Sequence, residues 1–400
     1  MTSRGTTPGA SRPFRVGIQQ PALPAYRVPL FRRVAALPGY EIELWYGSEE
    51  PALPNAAPDG FVGHFLPFVS IPSRARAVLM WHRAQWSLAG DPRLDALVLS
   101  WNTRFLSLFP ALLRARARGL PAVVWGHGYT KREDGPVRAA LRRLSGALAT
   151  AVLVYDARTR ARLIESGHDP GRLFVLSNGL DSDAIESARR ECEPDPGHDR
   201  GASARARGPV LVHIGRLSRE SRLELVLGAM ASLVGEFPGV RLTVIGAGAE
   251  ERDRLSALAD EQGLTERIDW LGAIYEEREI ARHMSRADLF VYPCNVGLSL
   301  IHAFNYGVPA VVCAPLSEHN PEVDVLRDGV NGRVAAERTP QSVAAAVRAL
   351  LASPDELAEA GRQARLSVRH VHNLAAMSRA FEELFAFLAT CRSSLPRTSG

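Results

Sequence analysis

The chain has 400 residues, 23% of them charged and 46% hydrophobic, with a formal net charge of +5. That length suits two domains with real cores. No apolar run nears the roughly 20 residues of a membrane helix, and Cys192, Cys294, Cys313 and Cys391 form no CxxC pair, so neither a zinc site nor a disulfide framework is indicated. The basic residues are mostly arginine, whose fork suits phosphate and carboxylate partners, though a codon bias toward arginine would give the same surplus.

Met1–Pro13 is polar and reads as no signal peptide, which predicts a cytoplasmic protein, either free or peripheral on the inner membrane face. No repeat of about 20 to 50 residues is visible. Short apolar runs then alternate with longer amphipathic ones. Strands are expected at Phe14–Gln19, Glu41–Tyr46, Ala96–Ser100, Ala122–Trp125, Ala151–Val154 and Phe174–Leu176, with helices at Arg104–Arg118 and Val137–Ala149. Pro72–Gly90 carries Arg74, Arg76, Trp81, Arg83 and Trp86. It reads as an amphipathic helix that either closes the first domain or lies on a membrane surface.

Glu186–Pro209, rich in Arg, Asp, Gly and Pro, reads as an exposed linker. The pattern restarts with strands at Val210–Ile214, Val240–Ile245, Ile268–Trp270, Leu289–Tyr292 and Ala310–Cys313. Helices are expected at Leu223–Val234, Glu250–Gln262, Glu277–Met284 and Leu298–Tyr306, and from Pro340 onward the chain reads as helices only. Alternating strands and helices imply parallel sheets covered on both faces, and two such units place a ligand at the carboxyl ends of the strands.

Four segments carry chemistry. In His213-Ile214-Gly215-Arg216-Leu217-Ser218 a strand ends at a glycine, and Arg216 can fork onto a diphosphate, with Arg219 and Arg222 close behind. The same residues equally describe a capped turn with solvated arginines. Gly246-Ala247-Gly248 is half of a dinucleotide fingerprint and fits tight strand-to-helix packing better. Tyr292-Pro293-Cys294-Asn295-Val296-Gly297-Leu298-Ser299 runs from a strand into an apolar helix whose first amides can hold an anion. His302 falls one turn in, where a buried histidine with satisfied bonds is the plain alternative. In Trp125-Gly126-His127-Gly128 the glycines leave the His127 ring uncrowded. It is suited to act as a base or to bond a substrate hydroxyl, or else it is an ordinary loop histidine.

In order and spacing these segments resemble the retaining glycosyltransferase family 4, of GT-B fold, from about Phe14 to about Phe387. His213–Leu217 is similar to that family's strand-Gly-Arg-Leu segment. Val291–Pro293, Gly297, Leu298, Ala303 and Gly307–Val312 are similar to its donor signature, and Asn320-Pro321-Glu322 with Asp328–Gly332 to the segment after it. Ser177–Asp181 resembles the stretch closing the first domain. Tyr26-Arg27-Val28-Pro29-Leu30-Phe31 resembles a subgroup opening on a Tyr-Arg-x-Pro-Phe-Phe-like turn.

The resemblance implies an α/β chain of two Rossmann-like domains with a cleft between them and C-terminal helices. The acceptor-side domain would span residues 13–185, a linker 186–209 and the nucleotide-sugar domain 210–370, with a helix at 371–391 packing back on the first domain. It implies a UDP- or GDP-linked sugar donor, retention at the anomeric carbon, no metal and no cofactor. Carried over residue by residue, Arg216, Arg222 and the amides at Leu298 and Ser299 hold the diphosphate. Gly215, Ile274, Cys294, Asn295, Gly297 and His302 surround the sugar, ribose and base, and His127 is catalytic.

Three positions depart from the family pattern. Ser221, beside Arg222, stands where a lysine is usual. Cys294 and His302 stand at the two glutamates of Glu-x7-Glu, as in a subgroup with Val-Gly-Leu-Ser and His-Ala-Phe at these places. The expected function is glycosyl transfer to a small-molecule, glycan or lipid-linked hydroxyl, with room for peripheral membrane contact and no nucleic-acid partner. The missing glutamates favour a rival, a catalytically silent nucleotide-sugar-binding protein. A nicotinamide-dependent oxidoreductase would need the third glycine that Gly246-Ala247-Gly248 lacks.

Overall fold

Strands almost wholly apolar, such as Ala96–Ser100 and Ala122–Trp125, have no polar face to offer water, so they become the middle of a sheet covered on both sides. The computed structural model describes residues 12–47, 54–71, 79–129, 135–192 and 208–394. By contact the chain divides into two units, one of Met1–Leu176 with Met377–Gly400 and one of Ser177–Ala376.

The first unit runs β1 (Phe14–Gln19), α1 (Val28–Ala35), β2 (Tyr40–Tyr46), β3 (Val62–Phe65), β4 (Val69–Ile71), β5 (Leu79–Trp81), α2 (Arg83–Leu88), β6 (Ala96–Ser100) and α3 (Leu108–Ala117). It continues with β7 (Ala122–Trp125), α4 (Pro136–Leu148), β8 (Ala151–Val154), α5 (Ala157–Glu165) and β9 (Leu173–Val175). Seven parallel strands lie in the order β3-β2-β1-β6-β7-β8-β9, with β1 paired to β2 on one side and β6 on the other. The strand order therefore reverses at β1/β6, the point where such sheets open a crevice at their carboxyl ends. Asp156 caps α5, its side chain accepting from the Thr159 amide at 2.6 Å.

The second unit runs α6 (Ser182–Cys192), β10 (Val210–Ile214), α7 (Glu224–Leu233), β11 (Arg241–Ile245), α8 (Ala249–Glu261), β12 (Ile268–Gly272), α9 (Glu277–Met284), β13 (Leu289–Val291), α10 (Leu298–Asn305), β14 (Ala310–Cys313), β15 (Gly332–Ala335), α11 (Pro340–Leu351) and α12 (Pro354–Val368). Its six-stranded parallel sheet is ordered β12-β11-β10-β13-β14-β15, and the reversal falls at β10/β13. Thr339 and Ser353 cap α11 and α12, each with proline at the first helical residue. The last helix, α13 (Leu374–Ser394), begins in the second unit. From Met377 it belongs to the first, where Phe381 packs on Trp125 at 5.4 Å between ring centres and Phe385 on Tyr40 at 5.3 Å.

Several expectations need correction. The exposed linker from Glu186 is helical to Cys192: α6 buries Ile185 and Ala188, packs on α9 and groups by contact with the second unit. The charged exterior hid it, because Glu186 accepts from Arg189 and Arg190 and also pairs with Arg365. The remainder of that linker, 193–207, lies outside the described residues, as do Arg74 and Arg76. In the stretch expected to form one amphipathic helix, Trp81 lies in strand β5 and the helix spans only Arg83–Leu88. No helix among the described residues is long and apolar enough to cross a membrane. β15 was unexpected because it opens on Gly332, where an added Cβ would sit 2.3 Å from the Ala310 carbonyl.

Candidate functional site

In the second unit the loops after β10 and β13 meet at the sheet's reversal point. Gly215 has φ 149°, which favours glycine, and an added Cβ would lie 2.9 Å from the Tyr292 ring. Gly246 comes so close that a Cβ there would be 1.8 Å from the Gly215 carbonyl oxygen, and Gly248, at φ 139°, would put one 2.4 Å from that of Leu217. The Leu217 amide donates to Ala247 at 2.8 Å. Gly246-Ala247-Gly248 is thus a packing element that shapes the Gly215–Arg216 turn, as the tight-packing reading holds.

The site is side-chain sparse and backbone rich. His213 stacks on Tyr292 at 4.3 Å with 21° between rings, and burial holds the histidine at about 4, hence neutral. Burial pushes the Tyr292 hydroxyl up to about 12, with nearby Arg216 opposing it. Arg216 is exposed at the strand end. Arg222 takes the left-handed conformation at φ 56° and pairs with Glu224 at 2.6 Å. Ser221 points inward, its hydroxyl donating to the Ser218 carbonyl at 2.7 Å, while the Cys294 amide donates to its carbonyl at 3.2 Å. Asn295, at φ 60°, donates to Glu220 at 3.2 Å and ties the two loops together.

The second loop rests on residues 313–320. The Val296 amide donates to His319 Nδ1 at 3.2 Å, which leaves Nε2 to donate to the Cys313 carbonyl at 2.8 Å and fixes that ring as one neutral tautomer. Asn320 donates to the Asn295 carbonyl at 3.1 Å and fills the space beside Gly297, where a Cβ would meet its Nδ2 at 3.0 Å. Helix α10 begins at Leu298, so the amides of Leu298 and Ser299 have no partner within the helix.

The structure puts Gly215, Arg216, Arg222, Cys294, Asn295, Gly297, Leu298 and Ser299 on these two touching loops. Cys294 is buried beside Cys313, whose thiol bonds it and, with Arg338 and Arg222, draws it below the usual thiol range. Ile274, after β12, packs part-buried on the unit's core.

His302 Nε2 sits 2.7 Å from Glu277 Oε1, and the Tyr306 hydroxyl donates to the same oxygen at 2.6 Å. Burial would raise the Glu277 carboxyl, but the bonds from His302 and Tyr306 outweigh it and hold the group below the usual carboxylate range. Glu277 had no sequence signal, being one of several acidic residues at the start of α9.

His127 lies in the first unit, after β7. Its ring is exposed and 4.6 Å from that of Tyr155. A Cβ at Gly126 would meet Trp101 at 2.9 Å, and Gly128 has φ 66°, so both flanking glycines are demanded by the backbone path. Beside His127, Arg27 donates to Gln20 at 3.2 Å and to the Tyr155 hydroxyl at 3.1 Å. Sequence reasoning assigned no role to these three.

The Glycosyltransferase Family 4 model matches residues 30–184, and the model for glycosyl transferases group 1 matches residues 198–367. The chain is 28% identical over 335 residues to a glycogen synthase of Halorhodospira halophila, covering 73% of this chain and 66% of that protein. It is 32% identical over 213 residues to a D-inositol 3-phosphate glycosyltransferase of Geodermatophilus obscurus, covering 49% and 44%. The chain therefore spans less than two thirds of these relatives' own length. Among solved structures, Anabaena HepE in complex with UDP and glucose superposes with a TM-score of 0.66 at 14% identity, covering 94% of this chain and 100% of that one. Sucrose-phosphate synthase of Thermosynechococcus elongatus gives 0.68 at 17%, covering 94% and 99%.

Proposed function

We propose that this chain, whose halves are a family 4-type and a group 1-type glycosyltransferase domain, moves a sugar from a nucleoside diphosphate to an acceptor hydroxyl. The observation that carries the reading is the pair of touching loops at the β10/β13 reversal, with Arg216 exposed beside the open amides of α10. Breaking the sugar–phosphate bond develops negative charge on the leaving diphosphate. Arg216 and the amides of Leu298 and Ser299 supply fixed positive ends to meet it. Arg222, already paired with Glu224, contributes less.

In this reading UDP is the favoured nucleotide, since HepE is described with UDP and glucose. Retention at the anomeric carbon and transfer without a metal follow from the family resemblance, and His127 serves the acceptor hydroxyl. His302 reaches the ribose, steered by Glu277, which restores a carboxylate next to the place where the family's glutamate is missing.

A thermal-shift panel of UDP- and GDP-sugars on the full chain tests donor binding, because a bound ligand raises apparent stability by mass action. Release of free nucleotide from the best binder then tests turnover. A second reading, a silent nucleotide-sugar-binding protein, is favoured by the burial of Cys294 where a glutamate is usual. Stabilisation without nucleotide release, across acceptor hydroxyls of every class, would select it.

A further inference from the structure

The first unit holds a cationic group that has no anionic partner among the described residues, at the carboxyl ends of its strands. Arg27 follows β1 and is part-buried among neutral groups. Its Nη1 donates to Gln20 Oε1 at 3.2 Å and its Nη2 to the Tyr155 hydroxyl at 3.1 Å. The guanidinium carbon lies 4.8 Å over the Trp125 ring, 5.8 Å over Tyr155 and 5.9 Å over Tyr26. Among the described residues no carboxylate pairs with Arg27, whereas Arg12 and Arg15, at the start of β1, each pair with one. Taking a charge partly out of water without a counter-ion is unfavourable, and such groups are normally paired.

The position is specific. Gln20 and Arg27 stand at the carboxyl end of β1, Trp125 at that of β7 and Tyr155 at that of β8, around the β1/β6 reversal of the sheet. His127, the residue assigned to the acceptor, has its ring 4.6 Å from that of the same Tyr155. Gln20, Tyr155 and Tyr26 engage part of the guanidinium, and aromatic faces fix its plane, so the N–H groups left over are pre-set.

We propose that Arg27 is an oxyanion-binding residue, and that the acceptor carries a phosphate or carboxylate group which it holds while His127 meets the hydroxyl. The assignment of that oxyanion to an acceptor rests on the glycosyltransferase reading; the binding site does not, and it is tested without turnover.

The test is calorimetric titration of inorganic phosphate, and separately of acetate, into the full chain, alone and with saturating UDP, at ionic strength matched with chloride. UDP occupies the diphosphate groups of the other unit, so phosphate reports on what remains. Wild type is expected to bind at least one of the two oxyanions. Arg27→Gln should weaken it by tenfold or more, and Arg27→Lys, which keeps the charge and loses the fork, by less. Gln20→Glu, close in shape, supplies Arg27 with a carboxylate and should also weaken it by tenfold or more. This variant keeps the test open should Arg27→Gln fail to fold, which unaltered UDP binding would exclude. No binding of either oxyanion to wild type, or binding within twofold of wild type in both Arg27→Gln and Gln20→Glu, overturns the proposal. So does an oxyanion signal removed by Arg216→Ala and untouched by the other variants. If instead the oxyanion results hold and no sugar is transferred, the site stands and the enzyme reading falls.

Discussion

The two sheets reverse their strand order at equivalent points, β1/β6 and β10/β13, yet the sites there are built differently. In the second unit the backbone does the shaping. Gly215, Gly246 and Gly248 bring three loop segments within distances no side chain would permit, and the first amides of α10 and the exposed Arg216 border them. In the first unit side chains do it: the buried rings of Trp125 and Tyr155 flank Arg27, and the exposed His127 ring lies against Tyr155. A backbone site tolerates side-chain exchange and suits a constant ligand such as a nucleoside diphosphate. A side-chain site changes its chemistry with each substitution and suits a variable one.

This contrast can be broken by substitution. The largest effect is expected at His127. His127→Ala should lower kcat by about 100-fold or more, as loss of a positioned acid–base group does, and leave UDP affinity as it is; equal kinetics would make the residue structural.

Next comes Arg216, the one exposed cation on the two donor-side loops that no described carboxylate neutralises. Arg216→Ala should weaken UDP binding by roughly 1.5–3 kcal/mol, the range for a hydrogen bond to a charged group.

Smaller is the effect of the His302–Glu277–Tyr306 cluster. His302→Ala and Glu277→Gln should each weaken donor binding about tenfold, in line with one lost polar contact. Restoring glutamate at both Cys294 and His302 should reduce activity and not raise it. A carboxylate at 302 would face that of Glu277, now 2.7 Å from the histidine, and one at 294 would enter a buried position. A gain in steady-state rate would show that the cluster is no substitute for the usual pair. Cys294→Ser should keep most activity, since the loop backbone carries the contact.

The smallest effect concerns stability alone. Arg189, then Arg190, with Arg365 nearby, hold the Glu186 carboxyl at about 2 against an ordinary 4.5, burial opposing them. A depressed folded value means that the stabilisation is present above pH 4.5 and is lost as pH falls toward 2. Melting curves of wild type and Glu186→Gln over that window should converge as pH falls; parallel curves would show that α6 is held by Ile185 and Ala188 alone.

The contrast also explains what could be read from the residues. The donor-side turn was legible because glycine in a strand-Gly-Arg pattern reports a backbone demand directly. The helices of the tail were legible because Thr339-Pro340 and Ser353-Pro354 are start signals in themselves. Glu277 was not, because its importance lies in a side chain 25 residues away, and one acidic residue among Glu276, Glu277 and Glu279 looks like its neighbours. Arg27 is legible only as part of a resemblance; that no described carboxylate pairs with it is a property of the folded unit. The helix α6 was misread because two buried residues in a highly charged stretch do not make a visible periodicity.

The most direct test of a donor held by the second unit is calorimetric titration of UDP into wild type, Arg216→Ala and His127→Ala. Wild type should bind, Arg216→Ala should lose about 10- to 150-fold in affinity, and His127→Ala should bind as wild type does. UDP affinity that is unchanged in Arg216→Ala, or lost in His127→Ala, would contradict that assignment.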